Sequence, residues 1–411
     1  MIQLYPERGR GSGGSEGSKR GRAESTPFAL PPHPGSSALT ASKLIHSTLN
    51  CALQSRPSPA GRGSGQSFLA LLLLFVAPYA HAETFTFFGS TAYEAQLTPA
   101  NEASPLNPGN VARIPYRTNS ADATLYVDAK GEAWKLHLKL RGDASDQASD
   151  RGQVGEAYAQ IAPSHWLTLT AGRVVEKWGT GYAWNPTAFI SPRKNPADPN
   201  DRRAANRGLD MVHADVFVRG TNVSVYALGG GATAARVYRL VAGTDVSLTF
   251  RHDHGGTQQG VSLARVFGDA LELHAEAARR RIVAGGQYTF AASNINVVAE
   301  LYRDGGGLTS RQWQAFTDQP TNAAYRPLQM GRTYGFARAD WPSPDGKTDA
   351  ELIAITSLRD GSLLARLTLT RKLRPNVSAY LIDTEFAGRA ATELAYMQVR
   401  RATTLGVRWF Y

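Results

Sequence analysis

Apolar and polar residues alternate in many segments of the chain after residue 83. Four clear examples are Trp134–Arg141, Val212–Arg219, Leu271–Ala277 and Leu363–Thr370. Successive side chains of a β-strand point to opposite faces, so each segment predicts a strand with one apolar and one polar face. Phe217 and Leu364 are exceptions, because each is an apolar residue at a polar-face position. The pattern predicts an all-β fold.

Two β architectures produce this alternation. A soluble β-sandwich packs its apolar faces inward and exposes its charged faces to water. A transmembrane β-barrel turns its apolar face to lipid and its polar face to a water-filled lumen. The alternation alone does not separate them, so the chain ends and the connections decide.

The last ten residues, Ala402 to Tyr411, alternate in the same way and end on aromatic side chains. They resemble the closing strand of bacterial outer-membrane β-barrels, whose C-terminal aromatic residue is recognised by the barrel-assembly machinery. This resemblance implies that the machinery is a partner and that the signal is Trp409, Phe410 and Tyr411. An ordinary core strand is the alternative, and an export signal at the other end of the chain favours the barrel.

That export signal is predicted in residues 67–82. An apolar run of about ten residues, Phe68–Ala77, is followed by small residues at Ala80 and Ala82, which is typical of a secretory signal peptide. A membrane helix needs roughly 20 apolar residues, so this run is too short to span. Residues 1–66, rich in Gly, Ser, Arg and Pro, are predicted to be disordered or a mis-assigned upstream extension. Residues 83–411 remain as one barrel domain, without the only cysteine, Cys51.

Short and long connections alternate between the predicted strands. Short turns are predicted at 129–132, 162–165, 220–222, 242–244, 268–270, 291–293, 342–347 and 373–375. Longer segments are predicted at 95–114, 143–153, 176–208, 230–234, 253–259, 304–328 and 386–400, with tight turns near 279–281 and 360–361. Such asymmetry is typical of outer-membrane barrels. We predict a transmembrane antiparallel up-and-down β-barrel of about 18 strands, with roughly 14 or 16 as alternatives.

The barrel domain carries a small positive charge. The chain has 45 Lys and Arg against 34 Asp and Glu, and residues 1–82 contain eight and three of these, which leaves +6 for residues 83–411. Nucleic acid is therefore not an expected partner, whereas a basic lumen attracts anions. The polar faces predict a lumen lined by Lys135, His137, Lys139, Arg141, His213, Asp215, Glu272, His274, Glu276, Arg366 and Arg408.

One long segment, residues 176–208, breaks the alternation. It is rich in aromatic residues, glycine and proline, and a loop of this length in a compact fold is usually functional. Its motifs resemble those of porin-like outer-membrane proteins of Gram-negative bacteria, and alginate-export and capsule-surface barrels carry related aromatic–glycine loops. The motifs are Gly172-Arg173, Trp178-Gly179-x-Gly181, Trp184-Asn185-Pro186 and Gly208-Leu209-Asp210. The resemblance implies that the loop folds into the lumen.

Two interpretations of this loop stay open. In the first, it is a constriction or binding site, in which aromatic rings stack on solutes or sugars and cations attract anions. In the second, it is a structural plug whose aromatic residues pack on the wall and whose arginines pair with carboxylates. The residues concerned are Arg173, Trp178, Tyr182, Trp184, Asn185, Arg193, Lys194, Arg202, Arg203 and Arg207.

The sequence carries no strong signal for catalysis. His252, Asp253 and His254 form a polar cluster that a barrel hydrolase or a metal site would need, but a polar rim loop explains it as well. We therefore expect no enzyme activity, no cofactor and no metal. The predicted function is a porin-like outer-membrane channel for passive passage of small hydrophilic solutes, anions among them. The alternative is a non-conducting barrel that binds or assembles surface polysaccharide or lipid, with outer-membrane lipid and lipopolysaccharide around either one.

Overall fold

A computed structural model describes residues 83–320 and 329–411, so the predictions for residues 1–82 lie outside it. Eighteen antiparallel strands pair in chain order, and the first pairs with the last. The strands are β1 (Thr84–Leu97), β2 (Arg117–Lys130), β3 (Trp134–Ser145), β4 (Ala148–Ser164), β5 (Leu167–Val174), β6 (Leu209–Val218), β7 (Thr221–Leu228), β8 (Thr233–Val241), β9 (Thr244–Asp253), β10 (Gly256–Phe267), β11 (Leu271–Ala278), β12 (Arg281–Phe290), β13 (Ile295–Asp304), β14 (Thr333–Pro342), β15 (Thr348–Ser357), β16 (Leu363–Arg374), β17 (Val377–Ala387) and β18 (Arg401–Phe410).

The barrel closes between β1 and β18. Their register runs from Ser90 opposite Phe410 to Leu97 opposite Thr403. Tyr411 extends this pairing, because its backbone exchanges hydrogen bonds of 2.8 and 3.1 Å with Gly89. Closure leaves no unpaired sheet edge, which a barrel needs if it is to lie in lipid. The predicted fold, an up-and-down barrel of 18 strands, is confirmed.

The two ends of the barrel differ in their connections. One end, here called the turn end, has only short turns, such as 219–220 and 242–243. Both residues of these two turns have positive φ, as two-residue hairpins of the I′ type require, and each places a glycine second. The other end, the loop end, carries the long segments 98–116, 175–208, 305–332 and 388–400.

Two predicted loop-end connections were wrong in detail. The strands continue through most of 143–153 and 253–259, which leaves two-residue turns at 146–147 and 254–255. The long segment predicted at 304–328 lies between β13 and β14 and contains a helix, α1 (Ser310–Asp318), which the alternation did not predict. Thr309 caps this helix with a reciprocal capping box that involves Gln312. No helix among residues 83–320 and 329–411 is long and apolar enough to cross a membrane.

The outward face is apolar and the inward face is mostly polar. On β9, for example, Leu248 and Phe250 are exposed on the outside, whereas Ser247 and Thr249 are buried inside. This inverts the burial pattern of a soluble protein, and it matches strands that face lipid on one side and a lumen on the other.

The loop end is partly covered by an interlocked cap. The segments 98–116, 305–332 (of which 305–320 and 329–332 are described) and 388–400 share a cluster of buried residues, namely Leu106, Trp313, Phe316, Met330 and Tyr396. The side chain of Asn101 donates to the carbonyl oxygens of Ala395 and Met397 at 3.1 and 2.9 Å. The buried Glu393 carboxylate accepts a hydrogen bond of 2.9 Å from the backbone of Met330, and burial raises its pKa. These bonds hold the three segments together.

Candidate functional site

The connection between β5 and β6, residues 175–208, lies inside the barrel and is here called the plug loop. Side chains from separate parts of the wall donate hydrogen bonds to its carbonyl groups. Arg251 on β9, Arg366 on β16 and Arg408 on β18 bind the carbonyl oxygens of Phe189, Ala197 and Arg202 at 2.8, 2.7 and 2.8 Å, respectively. Lys139 on β3 binds the carbonyl oxygen of Asn206 at 3.2 Å. The loop therefore spans the lumen from one side of the wall to the other.

A wall carboxylate, Glu276 on β11, binds the first part of the loop through both of its oxygens. Its Oε1 accepts hydrogen bonds from the backbone N–H groups of Thr180 and Gly181, the second at 2.5 Å. Its Oε2 accepts from the backbone N–H and the hydroxyl of Thr187, at 3.0 and 2.7 Å. Charge-assisted bonds of this kind are about twice as strong as neutral ones. Glu276 thus fixes two separate turns of the loop.

A second carboxylate, Glu300 on β13, binds the next two residues of the loop. It accepts from the backbone N–H groups of Tyr182 and Ala183, the second at 2.9 Å, and lies 2.9 Å from the Nε2 atom of His274. Together, Glu276 and Glu300 satisfy four consecutive backbone N–H groups, those of residues 180 to 183.

The glycines of the Trp-Gly-x-Gly motif make this approach possible. Gly179 has a φ of +88°, and a Cβ atom there would lie 2.6 Å from Oε1 of Glu276. A Cβ atom on Gly181 would lie 1.9 Å from the carbonyl oxygen of Trp184. A larger residue at Gly181 would have to move the backbone, and one at Gly179 would be strained by the positive φ and would displace the Glu276 carboxylate.

The tryptophans of the loop pack on two apolar patches of the inner wall. Trp184 stacks on Tyr302 with ring centroids 4.8 Å apart, and it is 4% exposed. Trp178 meets Tyr226 edge to face at 5.4 Å and is 1% exposed. The first patch contains Val283, Val298, Tyr302, Tyr334, Phe336, Ile353, Ile355 and Leu364. The second contains Val174, Met211, Tyr226, Leu228, Ala232 and Ala234.

Most cations predicted for the loop region have partners. Arg173 forms a bidentate pair with Asp210, both contacts being 2.8 Å. Arg202 pairs with Glu351, and Arg203 pairs with Glu94. Lys194 donates to the carbonyl oxygens of Gly181 and Tyr182 at 2.6 and 3.0 Å, and burial lowers its pKa. Arg193 and Arg207 are exposed.

This packing supports the structural plug more than it supports a binding site made by the aromatic residues. Trp178 and Trp184 are buried against the wall, so neither ring face is open to a solute. Tyr182 lies between Phe336 and the guanidinium of Arg338, and the Asn185 side chain donates to the carbonyl oxygen of Trp178 at 3.2 Å. These contacts favour the structural plug for the aromatic residues. A constriction beside the loop is compatible with the same contacts.

The residues predicted to line the lumen lie on the inner face of their strands. Lys139, Arg141, His213, His274 and Glu276 are buried there, and the others are Lys135, His137, Asp215, Glu272, Arg366 and Arg408. Several residues that hold the plug loop were not predicted, among them Glu94, Glu300 and Glu351. One available signal was the loss of alternation in Leu352–Ile355 and Val297–Val298, where both faces are apolar because the inner face packs on the loop.

The inner wall brings Ser224, Asp215 and His213 together, but not in the order of a catalytic triad. The Ser224 hydroxyl donates to Asp215 at 2.5 Å, and His213 contacts the other carboxylate oxygen at 3.2 Å. The carboxylate thus lies between the serine and the histidine, whereas the histidine must contact the serine to take its proton. His252 lies 3.0 Å from the hydroxyl of Thr257. In the described residues, no three His, Cys, Asp or Glu side chains are grouped to hold a metal ion.

Comparisons with known proteins support the fold and assign no family. No family model and no curated protein matches the chain. Among solved structures, Pseudomonas aeruginosa OpdL is similar with a TM-score of 0.51 at 11% identity, over 80% of this chain and 98% of that one. OpdQ of the same organism has a TM-score of 0.52 at 9% identity, over 80% and 97%. A triple mutant of the Rhodopseudomonas blastica porin reaches 0.45 at 12% identity, over 80% and 100%, and this score supports no conclusion.

At these identities, the similarity to OpdL and OpdQ shows a shared β-barrel fold. It does not show the resemblance to alginate-export and capsule-surface barrels that the loop motifs imply.

Proposed function

We propose that the chain is an outer-membrane channel for the passive passage of small hydrophilic solutes, with the plug loop narrowing its lumen. The observation that carries this proposal is a closed barrel with an apolar outside, a polar inside and one loop bound within it. The inner face carries polar residues such as Asp122, Thr124 and Thr170, as transmembrane barrels with a polar interior do.

A second candidate is a non-conducting barrel that binds or assembles surface polysaccharide or lipid. Two observations favour it: the plug loop reaches wall strands on several sides, and the cap covers part of the loop end. The two candidates differ in whether the plug loop leaves an aqueous path.

Single-channel recording in planar bilayers separates the two candidates. A channel gives discrete conductance steps, and deletion of residues 180–205 raises their size because it removes most of the plug loop. If a correctly folded, heat-modifiable barrel gives no conductance steps, that result contradicts the channel and supports the binding barrel. Unchanged conductance after the deletion contradicts the role of the loop.

The selectivity of the channel is part of the same experiment. The net charge of the domain predicted a preference for anions, but Arg202 and Arg203 are paired with carboxylates in the structure. We therefore expect a weak anion preference at most, measured as the reversal potential in a salt gradient.

We also propose that outer-membrane lipid, lipopolysaccharide and the barrel-assembly machinery are partners of the chain. Tyr411 supports this, because it lies at the seam of the barrel and packs 6.1 Å from the ring of Phe87. Deletion of Tyr411 is expected to lower the yield of folded barrel in the outer membrane, and Tyr411→Phe is the matched control that keeps the ring. Equal yields for all three proteins would contradict the assembly signal.

A further inference from the structure

A cavity of about 240 Å³ lies between the plug loop and the turn end of the barrel. Arg202 of the plug loop lines it on one side, and residues near the turn between β14 and β15 line it on another. The polar side chains that line it are Arg202, Asp340, Asp349, Glu351, Thr368 and Thr370. A solute that passes the plug loop would reach this cavity next.

Three of the four charged side chains that line the cavity are carboxylates. Arg338 pairs with both Asp340 and Glu351, and Arg202 pairs with Glu351. Asp349 has no ion pair within residues 83–320 and 329–411. Asp349 is therefore the carboxylate of this lining that has no paired cation in the described residues.

Two further cations on β16 are engaged elsewhere. Arg366 donates to the carbonyl oxygen of Ala197 at 2.7 Å and lies 4.0 Å from Asp198. Lys372 donates to the carbonyl oxygen of Gly346 at 2.9 Å. These contacts leave Asp349 as the open acceptor on the wall of the cavity.

A buried hydroxyl on the cavity wall points to a ligand independently of the charges. Thr368 is 2% exposed, and its Oγ1 atom has no hydrogen-bond partner in the described parts of the chain. Buried hydroxyl groups are nearly always hydrogen-bonded, because desolvation without a partner costs free energy. A polar ligand in the cavity would supply that partner.

We propose that this cavity is a binding subsite for small organic cations that carry a protonated amine and a hydroxyl group. The ammonium group binds the Asp349 carboxylate, and the hydroxyl binds Oγ1 of Thr368. A solute with a carboxylate in place of the ammonium group would lie against Asp349, so we expect anions of the same size to bind more weakly here. This inference rests on the proposed channel function for the entry of solute, but binding itself requires no conduction.

The test is a binding titration of the purified full-length protein in detergent, with ethanolamine as the probe. Glycolate and ethylene glycol are the anionic and neutral probes of similar size. We expect ethanolamine to bind, glycolate not to bind, and ethylene glycol to bind far more weakly than ethanolamine. Asp349→Asn should weaken ethanolamine binding roughly tenfold, the order expected for the loss of one charge-assisted hydrogen bond. The matched control Asp345→Asn, in the neighbouring turn, should leave it unchanged.

A second substitution tests the hydroxyl contact. Thr368→Val keeps the shape of the side chain and removes Oγ1, so it should weaken ethanolamine binding about threefold, and ethylamine, which has no hydroxyl, should not respond. Equal binding of ethanolamine by the wild type and Asp349→Asn, or a preference for glycolate or ethylene glycol, would overturn the proposal.

The same preparation also separates this inference from the channel. Binding of ethanolamine without conductance would contradict the proposed channel and support the subsite. Conductance without binding of ethanolamine would contradict the subsite and support the channel.

Discussion

The two halves of the plug loop are held by different physical forces. The first half, residues 176–197, gives its backbone N–H groups to buried carboxylates and packs its tryptophans on apolar wall patches. The second half, residues 198–207, is held mainly by the ion pairs of Arg202 and Arg203 and by wall cations that bind its carbonyl groups.

This difference affects how firmly each half is held. Apolar packing and buried charge-assisted bonds are insensitive to salt, and together they fix one backbone geometry. The Arg203 side chain is 47% exposed, so water and salt reach its end of the pair with the buried Glu94 and partly screen it. We infer that the first half is a fixed anchor and that the second half is the part able to move and widen the passage.

The largest effect is expected from Trp184→Ala. The substitution leaves a void against Tyr302 and Phe336, and loss of a buried tryptophan typically costs about 3–5 kcal/mol. The first half should then leave the wall, so conductance should rise and fluctuate. The control is Trp166→Ala, which removes an exposed tryptophan from the turn between β4 and β5 and should leave the conductance unchanged.

A smaller effect is expected from Glu276→Gln. The carboxylate accepts hydrogen bonds on both oxygens, and an amide must turn an NH₂ group toward either the 180–181 or the Thr187 donors. The anchor should weaken by about 1–3 kcal/mol, seen as a lower unfolding temperature and a less steady current. Glu272→Gln is the matched control on the same strand, and an equal response of both variants would contradict the anchor.

A still smaller effect is expected from Arg203→Ala. The second half loses one partly screened ion pair, while the buried Glu94 keeps its 2.7 Å hydrogen bond from the Tyr380 hydroxyl, so the barrel should unfold at nearly the same temperature, with a change of roughly 1 kcal/mol. The conductance should nevertheless change, because the exposed Arg203 side chain carries a charge inside the barrel, and salt should mask the difference. A large loss of stability would mean that both halves are anchors.

The sequence predicted the barrel well because almost every strand residue faces either lipid or the lumen. Its polarity therefore alternates with period two. Closure at Tyr411 and the short turns followed from the same pattern. The pattern predicted neither of the two wall patches under the tryptophans, because Leu364 and Val283 are apolar on the inner face for a reason that lies in the plug loop.

The partners of the plug loop were not predictable from spacing. Glu276 and Glu300 lie about 90 to 120 residues after the N–H groups that they bind. In the sequence, a single glutamate on an inner face predicts only ordinary lumen lining. The Trp-Gly-x-Gly motif did mark the loop as special. Its role as a set of hydrogen-bond donors appeared only once the wall carboxylates were in place.

Hydrogen–deuterium exchange of the folded protein in detergent tests the difference between the two halves most directly. The backbone N–H groups of Thr180, Gly181 and Thr187 bind buried Glu276, so they should be protected nearly as well as the strands. Those of Ala205 and Asn206 bind Asp201 within the second half itself, and they should exchange much faster. Equal protection of both groups, or fast exchange of residues 180–187, would contradict an anchored first half and a movable second half.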